Sequence, residues 1–134
     1  MNLVRIGRKV VPWLPVVLWM AVIFYLSAQP ELPHHPEALI DLVIKKLGHM
    51  AEYAILAALA VWSLRRGTPS TEARAFLWAL LLAASYAVTD EMHQYFVPGR
   101  NPQPLDVGFD VLGACLGLLF ISKIMLAAKG LPTH

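Results

Sequence analysis

Lys46, His49 and Glu52 stand three residues apart, and Asp90, His93 and Gln94 fall within one short run. On a helix, steps of three turn each side chain back by about 60°, so the first three residues form a slanting stripe. At about 1.5 Å per residue, Glu52 lies ~9 Å deeper than Lys46. Imidazole carries protons near neutral pH, and carboxylates serve as bases or cation ligands. That makes His49, Glu52, Asp90 and His93 the acid–base candidates. Lys46 and Arg100 suit a phosphate or carboxylate. Gln94, Asp106, Asp110 and Gln29 could add hydrogen bonds to a bound headgroup, as could Ser27. Asp90 lies near a predicted helix C-terminus, where peptide dipoles disfavour a carboxylate. It therefore needs Lys46, His93, Arg100 or a metal as compensation. Asp106 is placed to cap the fourth helix, whereas Asp110, one turn deeper on the same face, is too deep to cap. Gly113 and Gly117 continue that face, which should pack tightly below and open into a polar pocket above.

A divalent metal is one reading of the set. His49, Glu52, Asp90 and His93, with Asp106 or Asp110, mix imidazole and carboxylate, which suits Zn, Mn or Fe. The ligands would come from three helices and show no HExxH-type spacing. No serine or cysteine has an adjacent base, so a covalent hydrolase is not expected, and a water-using transfer fits better. Cys115, Trp13 and Trp19 read as packing or interface residues, and His34 and His35 as surface residues of a loop.

The elements that position these groups are membrane helices. The 134 residues are 57% hydrophobic and 15% charged, with a mean hydropathy of +0.57. A crossing helix needs about 20 apolar residues, with about 17 as a minimum. Spans are expected at about 10–28, 47–65, 73–93 and 106–126, within a single domain covering 1–134. The first, second and fourth meet the length requirement directly. The third needs helical continuation to do so. Residues 10–26 read as a retained membrane helix rather than a signal peptide, because the apolar run is long and Leu26-Ser27-Ala28 is a poor cleavage site. Pro30, Pro33 and Pro36 break any helix between the first two spans, although residues 41–46 can begin one at the interface. Ser70 or Thr71 can cap the third helix.

Four spans put both termini on one side. Arg5, Arg8, Lys9, Arg65, Arg66, Arg74, Lys123 and Lys129 share that side, while Lys45, Lys46 and Arg100 fall on the other. The positive-inside bias makes the first side cytoplasmic. The acids sort oppositely, with only Glu72 on the inner side. Charge bias does not require that second asymmetry, and a function at the outer end would account for it. The expected class is an all-α membrane bundle of four transmembrane helices in the plasma (inner) membrane. Nucleic-acid binding is excluded by that topology.

The chain resembles the VanZ-like family, named for a teicoplanin-resistance protein, over almost its whole length. The resemblance rests on Tyr25-Leu26-Ser27-Ala28-Gln29-Pro30, then Lys46-x-x-His49-x-x-Glu52-Tyr53. It continues through Asp90-Glu91-x-His93-Gln94 and Pro98-Gly99-Arg100 to Asp106 and Gly113. It implies a small multi-span envelope protein linked in some members to glycopeptide resistance, without a settled reaction. The family pattern often has asparagine where Asp110 stands here, and the extra charge favours cation binding. Three functions follow. The first is an outward-facing site that binds, or also modifies, a membrane lipid or lipid-linked anionic precursor. The second is a divalent-metal-dependent membrane enzyme. The third is a non-enzymatic scaffold that docks an envelope protein or forms an oligomer.

Overall fold

A computed structural model of the protein describes residues 10–30, 36–67 and 71–130. The readings made for Arg5, Arg8, Lys9, Pro33, His34, His35 and Ser70 lie outside them. The described residues form four α-helices: α1 (Leu14–Ser27), α2 (Ala38–Gly67), α3 (Glu72–Gln94) and α4 (Pro104–Lys129). A short 3-10 turn, Val11–Trp13, leads into α1.

Three helices, α2, α3 and α4, are long and apolar enough to cross a membrane. The first segment, expected to meet the length requirement directly, is the short one. Its α-helix has 14 residues. Pro12 and Pro15 lack amide donors, so the chain enters α1 through a tighter turn. At the other end α1 closes at Ala28, whose N–H bonds the Phe24 carbonyl at 3.0 Å, and Pro30 follows. The third segment does continue helically, for 23 residues, and Thr71 caps it by accepting from the Arg74 N–H at 3.4 Å. The second helix begins at Ala38, earlier than the expected span. At 30 residues it is about 45 Å long, and it carries Lys45 and Lys46 on a continuous helical turn above the apolar stretch.

The bundle is built around α2, which packs along α4, along α3 and more lightly against α1. α2 and α4 run parallel, because residues 46 and 106 meet at one end and residues 65 and 125 at the other. Small residues allow the close approach. A Cβ on Gly113 would overlap the backbone of Met50, and one on Gly117 the backbone of Ala54. On α3 the buried face is Ala75, Ala79, Ala83 and Ala87, spaced by four and all fully buried. The same face continues into Asp90 and Gln94. Large apolar side chains such as Leu18, Leu77, Trp78, Leu119 and Phe120 point outward. Small residues inside and large apolar residues outside are the arrangement that lipid, rather than water, stabilises.

Candidate functional site

The polar residues collect where the C-terminal ends of α1 and α3 meet the N-terminal halves of α2 and α4. Lys46 pairs with Asp106 and lies over the Phe109 ring, 5.2 Å from its centroid. One turn deeper, His49 Nδ1 faces Asp110 Oδ1 at 3.5 Å. Below that lie the two glycine contacts. The α2–α4 seam thus begins as two polar pairs and ends as bare backbone. Asp106 does not cap α4: the cap position is Gln103, which makes no side-chain cap bond. Pro104 starts the helix, which places Asp106 in its first turn, where its charge favours the dipole and its side chain reaches Lys46.

Asp90 finds other partners than those expected. Its Oδ2 accepts from Ser27 Oγ at 2.9 Å and from Gln94 Nε2 at 3.1 Å, and Gln94 also donates to Ser27 Oγ at 3.3 Å. Neither Lys46 nor Arg100 bonds it. The reason is the alanine face of α3, which turns Asp90 toward the bundle axis, where the end of α1 is nearest. Asp90 is 3% exposed and Asp110 1%.

Arg100 is held by α1. Its Nε donates to the Gln29 carbonyl at 3.1 Å and its Nη2 to the Leu26 carbonyl at 3.0 Å. A cation at a helix C-terminus adds to the last turn's carbonyls and complements the helix dipole. Gly99 makes this possible. Its φ of 82° turns the loop, and a Cβ there would come within 3.2 Å of the Pro30 carbonyl. The Pro98-Gly99-Arg100 run therefore ties the α3–α4 connection to the end of α1.

Two cavities flank His49. One, about 260 Å³, lies between α2, α4 and the 95–103 loop and is lined by Lys46, His49, Gln94, Arg100, Asp106 and Asp110. The other, about 240 Å³, lies between α1 and α2 and is lined by Leu26, Ser27, Ile44, His49, Glu52 and Arg100. Lys45 borders both. The slanting stripe explains the division: Lys46 turns toward α4, Glu52 toward α1, and His49 stands between them. Asp90 lines neither cavity itself and meets them only through Gln94 and Ser27, which do line them. Two further expected residues are placed elsewhere. His93 stacks on Phe24, with ring centroids 4.3 Å apart and planes 20° apart, and lines neither cavity. The Gln29 amide folds back on the Tyr25 carbonyl at 3.0 Å, and only its backbone oxygen takes part.

Tyr53 was not among the site residues read from the sequence. It is fully buried, and its hydroxyl lacks a hydrogen-bond partner among the described residues. So do Asp90 Oδ1 and Asp110 Oδ2, while Asp110 Oδ1 has only the 3.5 Å approach of His49 Nδ1. The signal was present, because Tyr53 is one turn below His49 on the same helix face, but a tyrosine there also reads as core. Buried polar atoms without partners are uncommon in folded proteins, and Tyr53, like Asp90, lines neither cavity. Among the described residues, no three His, Cys, Asp or Glu side chains are grouped to hold a metal ion.

The fold and the site define a multi-pass α-helical membrane protein with a polar centre at one end of its bundle. The chain belongs to the VanZ/LLP1 family, whose model matches residues 12–126. No curated protein matches the chain, and no solved structure does.

Proposed function

We propose that the polar end of the bundle binds the headgroup of a lipid-linked, anionic envelope precursor. The observation that carries this reading is the paired cavities around His49, with cations at the rim and carboxylates on the floor. Lys45, Lys46 and Arg100 suit a phosphate. Glu52 and Asp110, which line the cavities, suit the hydroxyl or amine donors of a sugar or amino-acid headgroup, with Asp90 acting behind Ser27 and Gln94. Leu26 and Ile44 give the α1–α2 cavity an apolar edge on the side from which a lipid would arrive. The excess of lysine and arginine at the opposite end supports a cytoplasmic placement for both termini in the plasma (inner) membrane. The site then faces outward, and glycopeptide sensitivity becomes a fitting cellular readout. Native mass spectrometry of gently extracted protein tests the proposal. A stoichiometric lipid-derived adduct is expected on the wild type and should be lost in His49→Ala. A bare mass in both, with equal thermal stability, would overturn it in favour of a scaffold that docks an envelope protein.

Chemistry on the ligand is a second reading, favoured by the His49–Asp110 pair. A buried carboxylate beside Nδ1 can orient an imidazole as a general base toward a bound group. A divalent cation could activate water here, but it would have to draw the imidazoles and carboxylates closer, because among the described residues no three of them are grouped to hold one. Metal analysis of the same preparations tests it: an ion present in the wild type and absent from Asp110→Asn supports the metal-dependent form.

A further inference from the structure

We infer that the opposite, basic end carries a separate binding site for an anionic phospholipid. α1 makes no substantial contact with α4, which leaves a groove whose floor is α2. Its deep part, about 450 Å³, is lined by Pro15 of α1, Ala54, Ala58 and Trp62 of α2, and Gly117 and Phe120 of α4. A second hollow of about 420 Å³ shares Ala58, Trp62 and Ile121 with it and ends at Arg65, Arg66 and Met125. Together they form one channel that is apolar at mid-bundle and cationic at its mouth.

The dimensions select the occupant. From Ala54 to Arg65 along α2 is about 16 Å at the helical rise, roughly half of the ~30 Å hydrocarbon core. That is the length of an acyl chain in one leaflet. The mouth is prepared for a phosphate. Arg65 Nη1 contacts Met125 Sδ at 3.0 Å, and the Arg66 guanidinium lies 4.5 Å from the Trp62 ring centroid. Both guanidinium groups are thus steadied by soft, uncharged neighbours. Among the described residues neither has a carboxylate at ion-pair distance, and the one acid of this end, Glu72, pairs with Lys129 at 2.7 Å. Two arginines beside an acyl-length groove fit a phospholipid with a net negative headgroup better than a zwitterionic one. This site lies at the other end of the bundle from the polar centre and does not depend on that centre's function.

Titrating phosphatidylglycerol and phosphatidylethanolamine of matched acyl chains against the full-length protein, read by native mass spectrometry, tests the assignment. One phosphatidylglycerol should be retained roughly tenfold more tightly than phosphatidylethanolamine. Arg65→Gln with Arg66→Gln should abolish the preference. Ala58→Phe keeps both charges but fills the groove floor, so it should lose the retained lipid, and it decides the matter if the arginine variant fails to insert. His49→Ala should retain the phosphatidylglycerol unchanged even where it loses the precursor-derived adduct of the polar end, which has a different mass. Equal retention of the two lipids by the wild type would overturn the proposal. So would a preference that survives Ala58→Phe, loss of the phosphatidylglycerol in His49→Ala, or a dimer that covers the groove in place of lipid.

Discussion

The bundle holds α4 and α1 by different means, α4 chiefly through α2, and α1 through α2, α3 and the 95–103 loop together. Against α4 the contact is one of shape. Gly113 lies on the Met50 backbone and Gly117 on that of Ala54, and the polar pairs sit only at the top of the seam. α1 does bury Val16 and Ile23, but it is also pinned by hydrogen bonds at successive depths. Ser63 Oγ donates to the Pro12 carbonyl at 2.6 Å, Tyr86 to the Met20 carbonyl at 2.7 Å and Trp19 Nε1 to the Glu52 carbonyl at 2.8 Å. Ser27 and Arg100 add two attachments at the polar end. A shape contact fails as a whole when one atom is added, whereas a row of pins fails piece by piece. The site occupies the boundary between the two arrangements, with one cavity against each.

Gly113→Leu should have the largest effect. The side chain has nowhere to go but into the Met50 backbone, and the expected loss is about 3 kcal/mol or more. Unfolding by titration with a denaturing detergent measures it. Near-wild-type stability would mean that α2 and α4 are not in contact there. Arg100→Ala comes next, at roughly 2 kcal/mol for its charge-assisted bonds to the Leu26 and Gln29 carbonyls. Hydrogen exchange should rise in α1 and the 95–103 loop while α4 stays protected. Equal acceleration in α1 and α4 would end the distinction between the two contacts.

The sequence carried one of these arrangements better than the other. Gly113 and Gly117 share a face with Asp110, so close packing beneath a polar opening was legible from spacing alone. The pins on α1 were not, because Trp19, Ser63 and Tyr86 donate to backbone carbonyls, and every residue offers one of those. Asp90 shows the same limit. Its depth and its place at a helix end signalled a carboxylate in need of partners, and the partners proved to be a serine and an amide rather than the available cations. The alanine face of α3 decides that, since it fixes which way Asp90 points, and alanines at four-residue spacing are easily passed over in an apolar stretch. His93 illustrates the converse: its spacing fits the site, yet Phe24 gives it a stacking surface outside both cavities.

Smaller effects sharpen the contrast. Ser63→Ala and Trp19→Phe each remove one pin at about 0.6 kcal/mol, the usual worth of a side-chain bond between membrane helices. The two positions are far apart, so the losses should add in the double variant. Marked non-additivity would show that α1 moves as one rigid unit instead.

Gly48→Ala should cost nothing. A Cβ there meets no atom within 4 Å, although Gly48 borders the α1–α2 cavity. Alanine is the better helix former by up to about 1 kcal/mol, so the variant should unfold at the same or slightly higher detergent fraction than the wild type. Gly113→Ala makes the identical chemical change in a neighbouring helix and should be clearly destabilising, because its methyl overlaps the Met50 backbone. The pair separates local propensity from packing. If both variants lost stability equally, the glycines would matter for the helices themselves rather than for what each helix touches, and the shape account of the α2–α4 seam would fail.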